Sequence, residues 1–340
     1  MPVLKAWKQP MLDGILVMDK ALGMTSFQMV QDVRKRLKVK KAGHAGTLDP
    51  LATGVLPICL GRATKIVQFI MAGHKVYQGT MFLGVATDTY DAAGKITEQK
   101  PLPLSLDLIS LQKAAKEFTG RLLQPPPPFS AAKHKGKPLY KFARQGIMVQ
   151  KEPKPVQVFS FEILEIRLPE VDFRVHCSKG TYVRSLVHDL GSNLGCGGHV
   201  TRLRRTRNGP FNIEHALKVE TLDKILKSKR LSDVLIPIGK ALAHIPAVEI
   251  DNEMATELRN GRPIFVDRLK DLMESQGHES DMEMPYLRLL LCRPPYIKNG
   301  PSLQEKDLVS VVAWPKALKP DGHKILRPIK VWPKEYAITN

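Results

Sequence analysis

One carboxylate stands out by its setting. Asp49 lies in the string Gly43-His44-Ala45-Gly46-Thr47-Leu48-Asp49-Pro50-Leu51-Ala52-Thr53-Gly54-Val55-Leu56-Pro57. Gly43, Gly46 and Gly54 permit tight turns and the close approach of a ligand. Pro50 fixes the backbone just after the acid. The apolar run Val55 to Leu60 can anchor the loop in a core. A stiff loop of this kind displays a single catalytic acid to a bulky substrate. An Asp-Pro pair taken by itself is an ordinary turn; the whole string is far more specific.

Two basic clusters point to what that substrate is. Gln124-Pro125-Pro126-Pro127-Pro128-Phe129 breaks regular structure. Lys133, His134, Lys135, Lys137, Lys141 and Arg144 follow it, with Tyr140 and Phe142 interleaved. Composition leaves two readings of this stretch, a protruding RNA-contacting arm or a solvated loop with a short helix. Further on, Arg202, Arg204, Arg205 and Arg207 fall within seven residues on an expected strand edge, where they suit phosphate contact. A solvated basic strand is the alternative.

The chain as a whole agrees with an anionic partner. Its 340 residues carry 52 Lys+Arg against 33 Asp+Glu, a net charge of +19. Such an excess attracts polyanions, nucleic acid first and an anionic membrane surface second. No apolar run is long enough to span a membrane. Met1 to Pro10 lacks the apolar stretch of a secretory signal. Cys59, Cys177, Cys196 and Cys292 are far apart and form no Cys-x-x-Cys pair, and the ten His do not fall into metal spacing beside them. A reduced cytoplasmic protein without a structural metal is expected.

The elements that must position these residues follow from pattern. Gly14 to Lys20 predicts a short buried strand. Thr25-Ser26 caps a helix over Phe27 to Leu37. A helix is expected near Ala63 to Met71, a strand over Lys75 to Gly84, and a helix over Leu106 to Phe118 that stops at Gly120. Val156 to Leu168 and Val171 to Cys177 read as strands, Tyr182 to Leu194 as a helix ended by Gly195-Cys196-Gly197-Gly198. Beyond about His244 the character changes to a small, mostly β unit, with strands at Tyr286 to Cys292, Leu308 to Trp314 and Ile325 to Trp332. The acidic, Met-rich stretch Asp267 to Met284 reads as an exposed insert.

Six strings in order resemble the TruB-type tRNA pseudouridine synthases, which act on uridine 55 of the tRNA T-loop. They are Gly14 to Lys20; the Asp49 string; Tyr77 with Gly84 and Thr87-Asp88-Thr89-Tyr90-Asp91; Gln124 to Pro127 with Ser130-Ala131 and Lys137 to Tyr140; Cys177-Ser178-Lys179-Gly180-Thr181-Tyr182-Val183-Arg184-Ser185-Leu186; and His199 to Thr206. The match covers roughly residues 13–215. It implies an α+β fold with a mixed β-sheet catalytic domain over 11–245, a thumb insertion at about 124–152, and a small β-rich PUA-like RNA-binding domain over 246–340.

The resemblance also implies roles. Asp49 is the catalytic carboxylate and Arg184 its guanidinium partner, which orients it. Tyr77 stacks on the target base and helps proton transfer, a phenol having a flat face and a polar tip. Tyr182 and Leu203 are pocket walls. Lys20 supports the active-site structure, and His44 helps hold the everted T-loop. Lys133, Arg202 and Arg205 join the substrate-binding set. The base must be flipped out to react. Pseudouridine formation breaks the C1′–N1 bond and joins C1′ to C5 of the same base with no redox change, so no cofactor and no metal is expected. The expected partner is the tRNA T-arm; no membrane and no protein partner is needed, and a monomer is expected. Two other readings stand beside this one. A guide-RNA-dependent synthase is disfavoured by the absence of long Lys-rich tails and by the Pro125 to Arg144 insertion. A non-catalytic RNA-folding module is disfavoured by Asp49, Tyr77 and Arg184 together.

Overall fold

The computed structural model describes residues 12–277, 286–292, 306–313, 325–326 and 328–331. The chain divides into two compact units, Met1–Leu235 and Ile236–Asn340. The boundary expected from sequence lay near residue 246.

The first unit is built on one mixed, nine-stranded sheet. Its strands are β1 (Gly14–Lys20), β2 (Ala42–His44), β3 (Ala52–Leu60), β4 (Lys75–Leu83), β5 (Gly120–Gln124), β6 (Lys154–Arg167), β7 (Glu170–Cys177), β8 (Gly198–Asn208) and β9 (Phe211–Asn212). The order across the sheet is β1-β3-β8-β4-β7-β6-β5, with β2 on β3 and β9 on β8. All of these pairings are antiparallel except β8 on β3. That parallel pairing is what brings the Asp49 loop beside the arginine-rich strand, through Leu203↔Ala52 and Arg205↔Gly54.

Helices α1 (Ser26–Leu37), α3 (Leu108–Glu117) and α5 (Val183–Asn193) follow the expected stretches closely; α2 (Val67–Met71) is the second half of the helix expected near Ala63 to Met71, after a 3₁₀ turn over Gly61–Ile66, and α4 (Leu139–Ala143) is a short helix in the basic stretch. Thr25 caps α1 through a capping box with Gln28. The apolar stripes of α1, α3 and α5 share one core with the sheet: Met29, Val33, Leu111, Leu186 and Leu190 meet Met81, Phe173 and Val175 there. No described helix is long and apolar enough to cross a membrane.

Two expectations are corrected. Strand β8 is not an edge where the arginines cluster: Leu203, Arg204 and Arg205 pair with β3 on one side and with β4 on the other. In the second unit, part of the expected insert is a helix, Val266–Ser275, that buries Leu269 and Met273. They join Val248, Met254, Leu258, Leu289 and Val312 in a separate core. The acidic side chains of this stretch alternate with apolar ones at helical spacing, which reads as an exposed segment when charge is counted but not phase. Residues 278–284 lie outside the described ones, as do Trp314 and Trp332 of the expected strands. The unit's four-stranded sheet runs Ala247–Ile250, Tyr286–Cys292, Lys306–Ala313 and Pro328–Val331 in that order.

Candidate active site

The Asp49 loop is fixed by bonds to its backbone. Gly46 and Gly54 both take positive φ, +103° and +99°, conformations that side chains disfavour. At Gly54 a Cβ would also stand 2.3 Å from the Arg205 carbonyl oxygen, so only glycine lets β3 and β8 close. The Arg205 guanidinium donates from Nη2 to the Gly46 carbonyl at 2.9 Å, from Nη1 to Thr47 at 3.3 Å and from Nε to Val55 at 2.8 Å. Asn208 Nδ2 donates to the Ala45 carbonyl at 2.7 Å. The Ser26 hydroxyl takes the Leu48 N–H at 2.8 Å and donates to the Leu48 carbonyl at 3.1 Å. Lys20, fully buried, donates to the carbonyls of Ala21, Met24 and Pro50. Burial lowers its ammonium to about 8, against the opposing pull of the Asp49 charge.

Helix α5 supplies the other wall. It begins right after Tyr182, so Arg184 lies in its first turn. The side chain of Arg184 is 5% exposed, that of Asp49 39%. Arg184 Nε meets Asp49 Oδ2 at 2.9 Å, and its Nη1 meets Asp91 Oδ2 at 3.0 Å. Nη1 also donates to the Thr89 carbonyl at 2.6 Å and Nη2 to the Phe129 carbonyl at 3.0 Å. The guanidinium therefore bridges two carboxylates, with one contact to each, and gives two further N–H groups to backbone carbonyls. The Gln124 side chain pins this end of the helix: its Oε1 accepts from the Tyr182 N–H at 2.7 Å and its Nε2 donates to the Tyr182 carbonyl at 3.1 Å.

Between the walls is a cavity of about 240 Å³, room for one pyrimidine base. Asp49, Tyr77, Tyr182, Arg184, Leu203 and Arg205 all line it. Tyr77 stands opposite Arg205 in the β4–β8 register. Burial raises its phenol above the ordinary value, and the Arg205 charge opposes that rise. Burial raises the Tyr182 phenol too. Both rings thus meet the cavity as neutral phenols at neutral pH. The cavity holds one acid aimed at open space, flanked by two flat rings and backed by cations.

A model of the TruB family pseudouridylate synthase N-terminal domain matches residues 34–183, and one of the tRNA pseudouridylate synthase B C-terminal domain matches residues 184–243. The chain belongs to the TruB family. The tRNA pseudouridine synthase B of Syntrophus aciditrophicus is 47% identical over 250 residues, 74% of this chain and 80% of that one. That of Haemophilus influenzae is 42% identical over 263 residues, 76% of this chain and 83% of the relative. A crystal structure of a Cbf5-Nop10-Gar1 complex contains a chain that superposes with a TM-score of 0.67 at 27% identity, covering 94% of this chain and 84% of that one. As a TruB-family member this protein is a pseudouridine synthase, and its fold is the mixed-sheet α+β fold of those enzymes.

Not every residue singled out in the sequence reaches the cavity of this TruB-family member. Lys20 and His44 do not line it. His44 sits on β2 facing Ile58, its Nδ1 buried without a hydrogen-bond partner among the described residues. Burial, then the Arg205 charge, lowers its imidazole below the ordinary value. Lys133 is exposed on a short hairpin with Lys137–Pro138, followed by α4. The four arginines of β8 divide. Arg202 and Arg207 are exposed, and Arg204 pairs through both terminal nitrogens with Asp19, at 3.0 and 2.7 Å. Arg205 is 1% exposed, which corrects the expected phosphate contact: inside the sheet its donors go to the Asp49 loop. A register shift between Arg205 and Arg207 causes the split: Arg202, Arg204 and Arg207 pair with Thr80, Gln78 and Val76 on one face, and Arg205 alone falls on the Tyr77 face. Asp91 and Gln124 belong to the motif strings, but nothing local in the sequence marks their roles. A buried guanidinium has more donors than one carboxylate can take, and that surplus was the available signal for Asp91.

Proposed function

We propose that this enzyme converts uridine 55 in the T-loop of tRNA to pseudouridine, with Asp49 as the catalytic carboxylate. The observation that carries the reading is the Asp49–Arg184 pair at 2.9 Å, half open to a base-sized cavity. The flipped uridine enters between Tyr77 and Tyr182. Its C1′–N1 bond breaks, the uracil turns, and C1′ joins C5; the C5 proton leaves and N1 gains one, so the product is an isomer. Among the described residues Asp49 is the only carboxylate lining the cavity. Attack at C1′, addition at C6 and deprotonation at C2′ all require such a group. Arg184 aims the carboxylate and compensates its charge. Leu203 closes the cavity beside Tyr77. Lys20 and Arg205 act on the loop, and His44 supports the everted RNA loop.

The thumb over 124–152, with Lys133, and the exposed Arg202 contact phosphate. Ile236–Asn340 acts as a PUA-like RNA-binding unit. The enzyme works as a cytoplasmic monomer on naked tRNA. Pseudouridine mapping of a tRNA transcript incubated with the pure protein tests this. Modification at position 55 without added protein or guide RNA is expected. Asp49→Asn should lower the rate by at least about 10⁴-fold while tRNA affinity stays within about tenfold. Pseudouridine formed at a measurable rate by a clean Asp49→Asn preparation would remove Asp49 from the chemistry.

A further inference from the structure

Three rings form a surface cluster that the chemistry above leaves unused. Phe159 lies 4.3 Å from His74 and 4.7 Å from His176 between ring centroids, with tilts of 33° and 38°. The two imidazoles are 5.5 Å apart. Phe159 is 43% exposed although it sits in a strand. The cause is a bulge: Val158 pairs with Cys177 and Ser160 with His176, so Phe159 is the extra residue between them. Bulges re-aim side chains in this way. Its neighbours Val158 and Phe161 are buried in the core as the strand pattern requires.

The cluster adjoins the cavity and carries positive surroundings. His74 lies between Met71 and Lys75, which both line the cavity, and His176 is two residues before Ser178, which lines it as well. At about 3.5 Å per residue these connections keep rings and cavity mouth within roughly 10 Å along the chain. Alternation turns His176 to the sheet face opposite Tyr77, so a ligand reaching both crosses the end of the sheet. The charges of Lys75 and Arg207 act on His74, and those of His74, then Arg207 and Arg174, act on His176, with Glu162 opposing. Arg174 and Arg207 are exposed. Burial and these cations hold both imidazoles below their ordinary value, so at neutral pH they are uncharged flat faces. Flat uncharged rings inside a cationic rim are what an unstacked base with its phosphate needs.

We propose that His74, Phe159 and His176 form a stacking platform for a second unpaired nucleobase of the RNA, near the one that enters the cavity. The proposal rests on RNA being the substrate. Base–aromatic stacking sets the size of the effect: Phe159→Ala should raise the Kd for a tRNA transcript about tenfold. Single-turnover conversion at saturating enzyme should stay within about twofold of wild type, because no group at the reacting bond is touched. Phe159→Trp keeps a flat face and should keep wild-type affinity. The slope of log Kd against log salt should not change in Phe159→Ala, since no cation is removed. His74→Ala repeats the test at a residue outside the strands and is expected to weaken binding in the same direction. Wild-type affinity in both Ala variants overturns the platform. A wild-type enzyme that forms no pseudouridine, yet loses RNA affinity on Phe159→Ala, would remove the proposed activity and leave the platform standing.

Discussion

The two walls of the cavity are each held by a buried arginine, and the two arginines work differently. Arg205 gives its donors to three backbone carbonyls, those of Gly46, Thr47 and Val55. Arg184 is set between two carboxylates, Asp49 and Asp91. A guanidinium on carbonyls fixes the path of a loop, because carbonyl positions define the backbone. A guanidinium between acids fixes charge and aim, because the acid on its far side holds it while the near one faces the substrate. Shape and charge are thus assigned to different side chains on different elements, and they can be disturbed separately.

Between the two arginines and their surroundings, the largest effect is expected at Arg184. A lysine ammonium is a point charge on a flexible stem and cannot bridge Asp49 and Asp91 at once. Arg184→Lys should slow single-turnover conversion by about 10²–10³-fold. A near wild-type rate would mean that the fork does not aim Asp49. Arg205→Met is the matching change on the other wall. It leaves three carbonyls without their donor and should cost about 3 kcal/mol of unfolding free energy, read by denaturant titration. If instead its stability were unchanged and only the rate fell, the division between shape and charge would fail. Asp91→Asn sharpens the comparison within one wall. Arg184 would keep Asp49 and two carbonyls but lose its rear charge, so kcat should fall about 10-fold with KM for tRNA unchanged. The smallest effect lies outside both walls. Replacing Lys133, Lys135 and Lys137 with Ala should reduce the slope of log K against log salt by about 2 and leave kcat alone. An unchanged slope would place the thumb away from phosphate.

Much of this was legible in the sequence because it is local. Strand β1 runs Gly14–Lys20 as the apolar pattern indicates, and Thr25 caps α1. The Asp49 loop and its link to Arg184 followed from strings that resemble a family. What stayed hidden depends on long-range pairing. Four arginines in seven residues read as one basic patch. Only the position of β8 between β3 and β4 shows that Arg205 is interior and that Arg204 belongs to Asp19. Asp91 carries no local mark of its partner, which is 93 residues away. Phe159 reads as one more β-former; a register shift against β7, invisible in one strand's sequence, exposes it.

The contact between Arg205 and the Asp49 loop also sets a clock on synthesis. Arg205 lies 158 residues after Thr47, whose carbonyl it holds. A ribosome adding about 5–20 residues per second needs roughly 8–30 s to cover that interval. Throughout it the loop has its bonds to the earlier residues Ser26 and Lys20 but not those to Arg205, and β3 has one neighbour still unmade. Because β8 is inserted between β3 and β4, two strands already translated must leave a gap for a third. Each newly made molecule therefore completes its catalytic loop late, so a truncated translation product ending before β8 carries Asp49 without the guanidinium that fixes its loop.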